Sequence, residues 1–205
     1  MVFDDFEIKL FSVFLTLWLL AYYHPILSKK ISRNFLSNLH SGLICILALL
    51  SLHRAISESI PLCYSSSFFV ADVIDEAFVN RDVMWTMHGI ISLALNLGTA
   101  MSPQHRELRS VSKGYLVEGS TLPFNYWKGS KSYASYVAFF FSFTVCRVLW
   151  VPYFLYDSYM TKLNGELDFL LYPSAMFCVL NGAWYFKMCQ MLVNYRLPKE
   201  MQHIE

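Results

Sequence analysis

Long apolar runs separated by short polar segments organise this chain. Five runs, 8–27, 36–56, 83–101, 134–157 and 167–191, come close to or exceed the ~20 residues that an α-helix needs to cross a bilayer. Two segments, 63–79 and 108–126, are weaker, because they carry Asp72, Asp75 and Glu76, and Lys113 and Glu118. Polar residues in such segments face a bundle interior or a water-filled cavity. The pattern predicts an all-α membrane protein, a multispanning helical bundle of about seven spans. Residues 1–33 hold the first span and a loop, 34–195 the main bundle, and 196–205 a short tail. No internal repeat or low-complexity segment interrupts this plan.

The loops orient the bundle. Lys29, Lys30 and Arg33 follow the first span, Arg81 the third, Lys128 and Lys131 the fifth, and Arg196 and Lys199 the last. With about seven spans these clusters share one side, which the positive-inside tendency makes cytosolic. The N-terminus is then lumenal and the C-terminus cytosolic. Arg106 and Arg109 fall on the lumenal side, so either that loop defies the bias or segment 108–126 is re-entrant. The opening residues Met1–Asp5 lack the basic start of a signal peptide, so the first run reads as a retained span or signal anchor.

Composition supports the membrane class: 56% of the 205 residues are hydrophobic and only 15% charged, against roughly a quarter charged in soluble domains. With a net charge of +1, nothing points to a nucleic-acid partner or a strongly acidic ligand. Cys45, Cys63, Cys146, Cys178 and Cys189 lack metal or redox spacing and read as packing residues. No metal site, phosphate loop or nucleophile elbow is expected.

The chemistry therefore concentrates inside the membrane. His88, Ser92 and Asn96 recur at i, i+4 and i+8 and form one polar stripe on a helix. Such a stripe serves either interhelical hydrogen bonding or a histidine acting as base or nucleophile in acyl transfer. Asp72, Asp75 and Glu76 share a face, and three carboxylates in one low-dielectric patch should bind a proton or a cation. Asp75 and Glu76 are placed at the cytosolic interface beside Arg81, with Asp72 deeper. Arg147 lies mid-span and needs a carboxylate or water, with Asp72 and Glu118 as candidates. Pro152, five residues on, should kink that helix. His40 opens the second span beside Ser41, and Asn181 and Tyr185 form a polar edge in the last. The run Glu118–Trp127 is either a turn capping a helix or a polar site facing the interior. His24, His53, His105 and His203 lie near span ends or in loops and read as solvated.

In order along the chain, Ser37–Ser41, Phe68–Val73, Asp82 through His88, Glu118–Asn125, Arg147 with Pro152, and Asn181 with Trp184 resemble motifs of the TLC-domain family, which includes the ceramide synthases. The resemblance covers roughly 34–195. It implies a six-helix core around a central cavity with one extra N-terminal span, an endoplasmic reticulum or related membrane, and a role in lipid metabolism. It implies a cavity lined by His40, Ser92, Asn96, Glu118, Ser120, Thr121, Arg147 and Asn181. In ceramide synthases a His-His pair with two aspartates supports acyl transfer from acyl-CoA. Here His88 takes the first histidine position and Gly89 the second, or a register shift puts Met87 at the first. Three functions follow: a lipid binder or regulator of membrane lipids, sphingolipids included; an acyl-CoA-dependent acyltransferase; or a trafficking or cargo receptor. In the acyltransferase His88 would be nucleophile or general base, oriented by Asp72 or Asp82, with acyl-CoA as substrate and no resident cofactor. The partners implied are membrane lipids, and a second copy of the chain or other membrane proteins.

Overall fold

The structure, a computed structural model, describes residues 3–24, 32–160 and 171–193. Lys29, Lys30, Arg196, Lys199 and His203, the tail 196–205 and the start of the last span at 167–170 lie outside the described residues. All described elements are helical. α1 (Asp5–Tyr23) starts at a capping box, in which Asp4 Oδ1 accepts from Glu7 N at 2.8 Å and Asp4 N donates to Glu7 Oε2 at 3.1 Å. α2 (Arg33–Leu52) is capped by Ser32, and α4 (Val83–Met101) by Asp82. Between them α3 (Ser59–Ile74) runs on through a π-helical turn, Asp75–Asn80. After the short α5 (Pro103–Glu107), a broken helix joins α6 (Ser110–Tyr115), a 3-10 turn (Leu116–Ser120) and α7 (Thr121–Ser130). α8 (Tyr133–Phe143) passes through a second π-helical turn (Thr144–Leu149) into α9 (Trp150–Met160), and α10 (Leu171–Val193) completes the described chain.

Among the described residues, three helical stretches are long and apolar enough to cross a membrane: Asp5–Tyr23, Arg33–Leu52 and Tyr133–Tyr156. Phe78, Val83, Phe141 and Val179 are among the large apolar side chains left exposed, as expected of a surface facing acyl chains. The helix at Pro152 continues past it, with the π-turn directly upstream, so the expected kink site is a local change of helical winding.

α3 is the central helix. It packs against α1, α2, α4 and α6, and Pro61 through Phe69 are all buried. This placement explains its weak hydropathy. Ser65 meets His40 Nε2 at 3.2 Å, Ser66 Oγ accepts from Asn96 Nδ2 at 3.1 Å, and Ser67 Oγ donates to Tyr64 O at 2.8 Å. A helix enclosed by protein can carry serines because its neighbours satisfy them.

One end of the bundle is tied shut by polar side chains. Buried Glu7 pairs with Arg106 and accepts from Ser59 Oγ at 2.5 Å. Glu58 accepts from Ser51 Oγ at 2.5 Å, from Ser112 N at 2.9 Å and from Ser112 Oγ. Arg109 donates to Ser51 O and to Ile56 O, the latter at 2.9 Å. Arg106 and Arg109 are thus cross-links between helices. The expectation that His105 is solvated is corrected: it is buried, with Nδ1 3.2 Å from Ser110 Oγ. Glu7→Ala leaves Arg106 without its carboxylate and is expected to cost about 2–3 kcal/mol, read as lower thermal stability in detergent.

Candidate functional site

The opposite end holds a cavity of about 370 Å³. α1 contributes Tyr22, α2 contributes Arg33, Ser37, His40 and Ser41, and the end of α3 contributes Phe68, Phe69, Asp72 and Glu76. α4 adds Trp85 and His88 beside the cap residue Asp82, and the broken helix adds Glu118, Thr121, Phe124, Asn125 and Lys128. Arg147 closes the wall. Cations (Arg33, Lys128, Arg147) and carboxylates (Asp72, Glu76, Asp82, Glu118) share one lining, so the cavity offers both signs of charge to an occupant.

Arg147 is the most heavily partnered group in it. It is only 6% exposed, and its Nη2 lies 3.5 Å from Glu118 Oε1. Nε donates to Ser120 Oγ at 2.8 Å, Nη1 to Asn181 Oδ1 at 3.4 Å and Nη2 to Thr121 Oγ1 at 3.5 Å. The guanidinium also lies over the Phe143 ring at 5.6 Å. Glu118 in turn accepts from Thr121 Oγ1 at 2.9 Å and Ser41 Oγ at 3.4 Å. Asn125 donates to Ser37 Oγ at 3.0 Å and Asn38 Oδ1 at 2.9 Å. The run from Glu118 therefore faces the interior and ties α7 to α2 and to the π-turn of Arg147. Its 3-10 winding brings Glu118, Ser120 and Thr121 together on that side.

The other carboxylates divide. Asp72 accepts from Tyr22 Oη at 3.0 Å. Asp75 is buried and binds Arg33 through Nε at 2.5 Å and Nη2 at 3.0 Å, with Asn80 Nδ2 at 3.1 Å. Asp75 thus pairs with Arg33, a partner the sequence reading did not name. Arg81 instead ends the π-turn with φ of 57°, where a cation suits the carbonyl end of a helix. Asp82 Oδ1 accepts from Met84 N at 3.0 Å and Trp85 N at 3.1 Å, so its recorded bonds cap α4 rather than reach His88.

His88 is buried among Phe69, Trp85, Phe177 and Trp184, with ring centroids 5.5–6.0 Å away, and among the described residues its Nδ1 has no hydrogen-bond partner. His40 stacks on Phe68 at 3.8 Å and meets Phe69 edge-on at 5.4 Å, so Phe69 contacts both imidazoles. The stripe His88, Ser92 and Asn96 is buried throughout, but it splits by role. Its first residue lines the cavity and its last bonds to α3. Sequence reasoning missed Tyr22, whose ring blends into an apolar run, and held Trp85 and Phe124 only as members of longer motifs without giving them a place in the cavity wall. Among the described residues no three His, Cys, Asp or Glu side chains group as a metal site would need.

A family model described as the TLC domain matches residues 5–190. The chain belongs to the TLC-domain family. No curated protein and no solved structure matches it. Membership makes this a membrane protein related to lipid metabolism or homeostasis, and its apolar helices fit a multipass arrangement. The TLC match takes in α1, which packs along α3. In this TLC protein the position after His88 is structurally closed. A Cβ added to Gly89 would lie 2.5 Å from Val73 Cγ2. Val73 of α3 occupies the space that a second imidazole would require, and the two helices approach closely there.

Proposed function

We propose that this TLC-domain protein binds membrane lipids in the endoplasmic reticulum and regulates their composition, with a lipid head group held in the polar cavity. The observation that carries this reading is a cavity with charges of both signs inside a helical bundle. A polar head group can pair with such a lining, whereas bare hydrocarbon cannot. Arg33, Arg81, Lys128 and Lys131 gather at the cavity end, which supports a cytosolic mouth, a lumenal N-terminus and about seven spans. The organelle rests on the family's character.

A second reading, acyl transfer from acyl-CoA to a lipid acceptor, draws on His88, whose Nδ1, without a partner among the described residues, sits at the cavity wall. Against it stand the closed position at Gly89 and the engagement of Asp72 and Asp82 with Tyr22 and the α4 cap. Lipidomics on cells lacking the protein, rescued with wild type or His88→Ala, separates the two. Binding predicts that His88→Ala folds and restores the changed lipid class as wild type does. Rescue by wild type alone, with His88→Ala present at normal level, supports transfer. An unchanged lipidome on loss of the protein overturns both.

A further inference from the structure

A second chamber, of about 430 Å³, lies beside the polar cavity, between the broken helix, α8 and α10. Its walls are mostly apolar, with Trp127, Tyr136, Phe139, Phe143, Met188 and Met191, and Lys187 joins them as a cation. Tyr136 Oη donates to Met188 O at 2.5 Å, which consumes its polar tip. The two chambers share Trp85, Thr121, Phe124 and Arg147, so one wall serves both. Trp85 forms its aromatic part, 5.9 Å from Phe124 and 5.3 Å from Trp184. Thr121 and Arg147 are its hydrogen-bonding part. An apolar space joined through hydrogen-bond donors to a charged space has the polarity sequence of an acyl lipid: chain, carbonyl, head group.

We propose that the aromatic chamber holds an acyl chain of the same membrane lipid whose head group occupies the polar cavity, with the linking carbonyl accepting from the Nη1 of Arg147, which has an N–H beyond the one given to Asn181. This rests on the lipid-binding reading above and adds where the chain goes. Flat aromatic rings and flexible methionines adapt to a chain without fixing one length.

The test uses full-length protein in vesicles of phosphatidylcholine doped with a phosphatidylcholine carrying a diazirine on one acyl chain. After illumination, labelled residues are mapped by mass spectrometry, and lipids retained through purification are identified in parallel. Labelling is expected at Tyr136, Phe139, Met188 and Met191, above the outward-facing Val137 and Phe141. Met191→Trp, which fills the chamber, should cut that inner labelling by about fivefold or more, since a filled pocket excludes its ligand. Phe139→Leu, which enlarges it, should keep the labelling, so a folding defect in one variant does not decide the result. Labelling confined to Val137 and Phe141 with lipid still retained overturns the chain site and leaves the head-group reading standing. No retained lipid and no inner labelling overturns both.

Discussion

Arg147→Met is expected to lower the stability of the detergent-solubilised protein by about 3–5 kcal/mol. Methionine fills much of the same volume, so packing is largely kept. What is lost is the cation paired with Glu118, which is itself buried. Ser41 and Thr121 still donate to that carboxylate, but neutral donors compensate a buried charge poorly. Ser120 and Asn181 also lose their donor. The double variant Arg147→Met with Glu118→Gln removes both charges and should recover most of the loss. Thermal unfolding of the three proteins in one detergent measures this. If Arg147→Met alone is as stable as the parent, the pair does not hold the fold together.

Gly89→His is expected to abolish most folded protein rather than restore the histidine pair of the ceramide synthases. Even one added carbon meets Val73 Cγ2 at 2.5 Å. Valine is branched at Cβ and strongly prefers one rotamer in a helix, so swinging it aside is costly. Overpacking of this kind costs about 1–3 kcal/mol for a methyl group, and an imidazole asks for far more room. Gly89→Ala should therefore be measurably destabilised, and Gly89→Ala with Val73→Ala should regain the loss. Yield of monodisperse protein and its melting temperature give the readout. Free accommodation of Gly89→His would show that α3 and α4 are not locked together there.

Hydropathy located what faces lipid and lost what faces protein. The run 83–101 coincides with α4, whose outer side is apolar. α3 and the broken helix scored weakly because their polar residues look inward, where Ser65, Ser66 and Glu118 have partners. Glu118 was legible as a partner for Arg147, because a mid-span cation demands a carboxylate and few were available. The Arg33–Asp75 pair was not, since Arg81 is nearer in sequence and only the antiparallel pairing of helices brings Arg33 across. Likewise nothing along the chain links Glu7 to Arg106. The aromatic chamber left no trace, because a phenylalanine facing a void and one facing lipid look identical in sequence.

The polar ties at Glu7, Glu58, Arg106 and Arg109 pin one end of the bundle. The hollow end is bridged too, but by fewer clasps: Arg33 to Asp75 and Asn125 to Ser37. Parting those two clasps would let α2 move away from α3 and α7 at the mouth while every bond at the base is kept. They stand to the cavity as latches stand to a door.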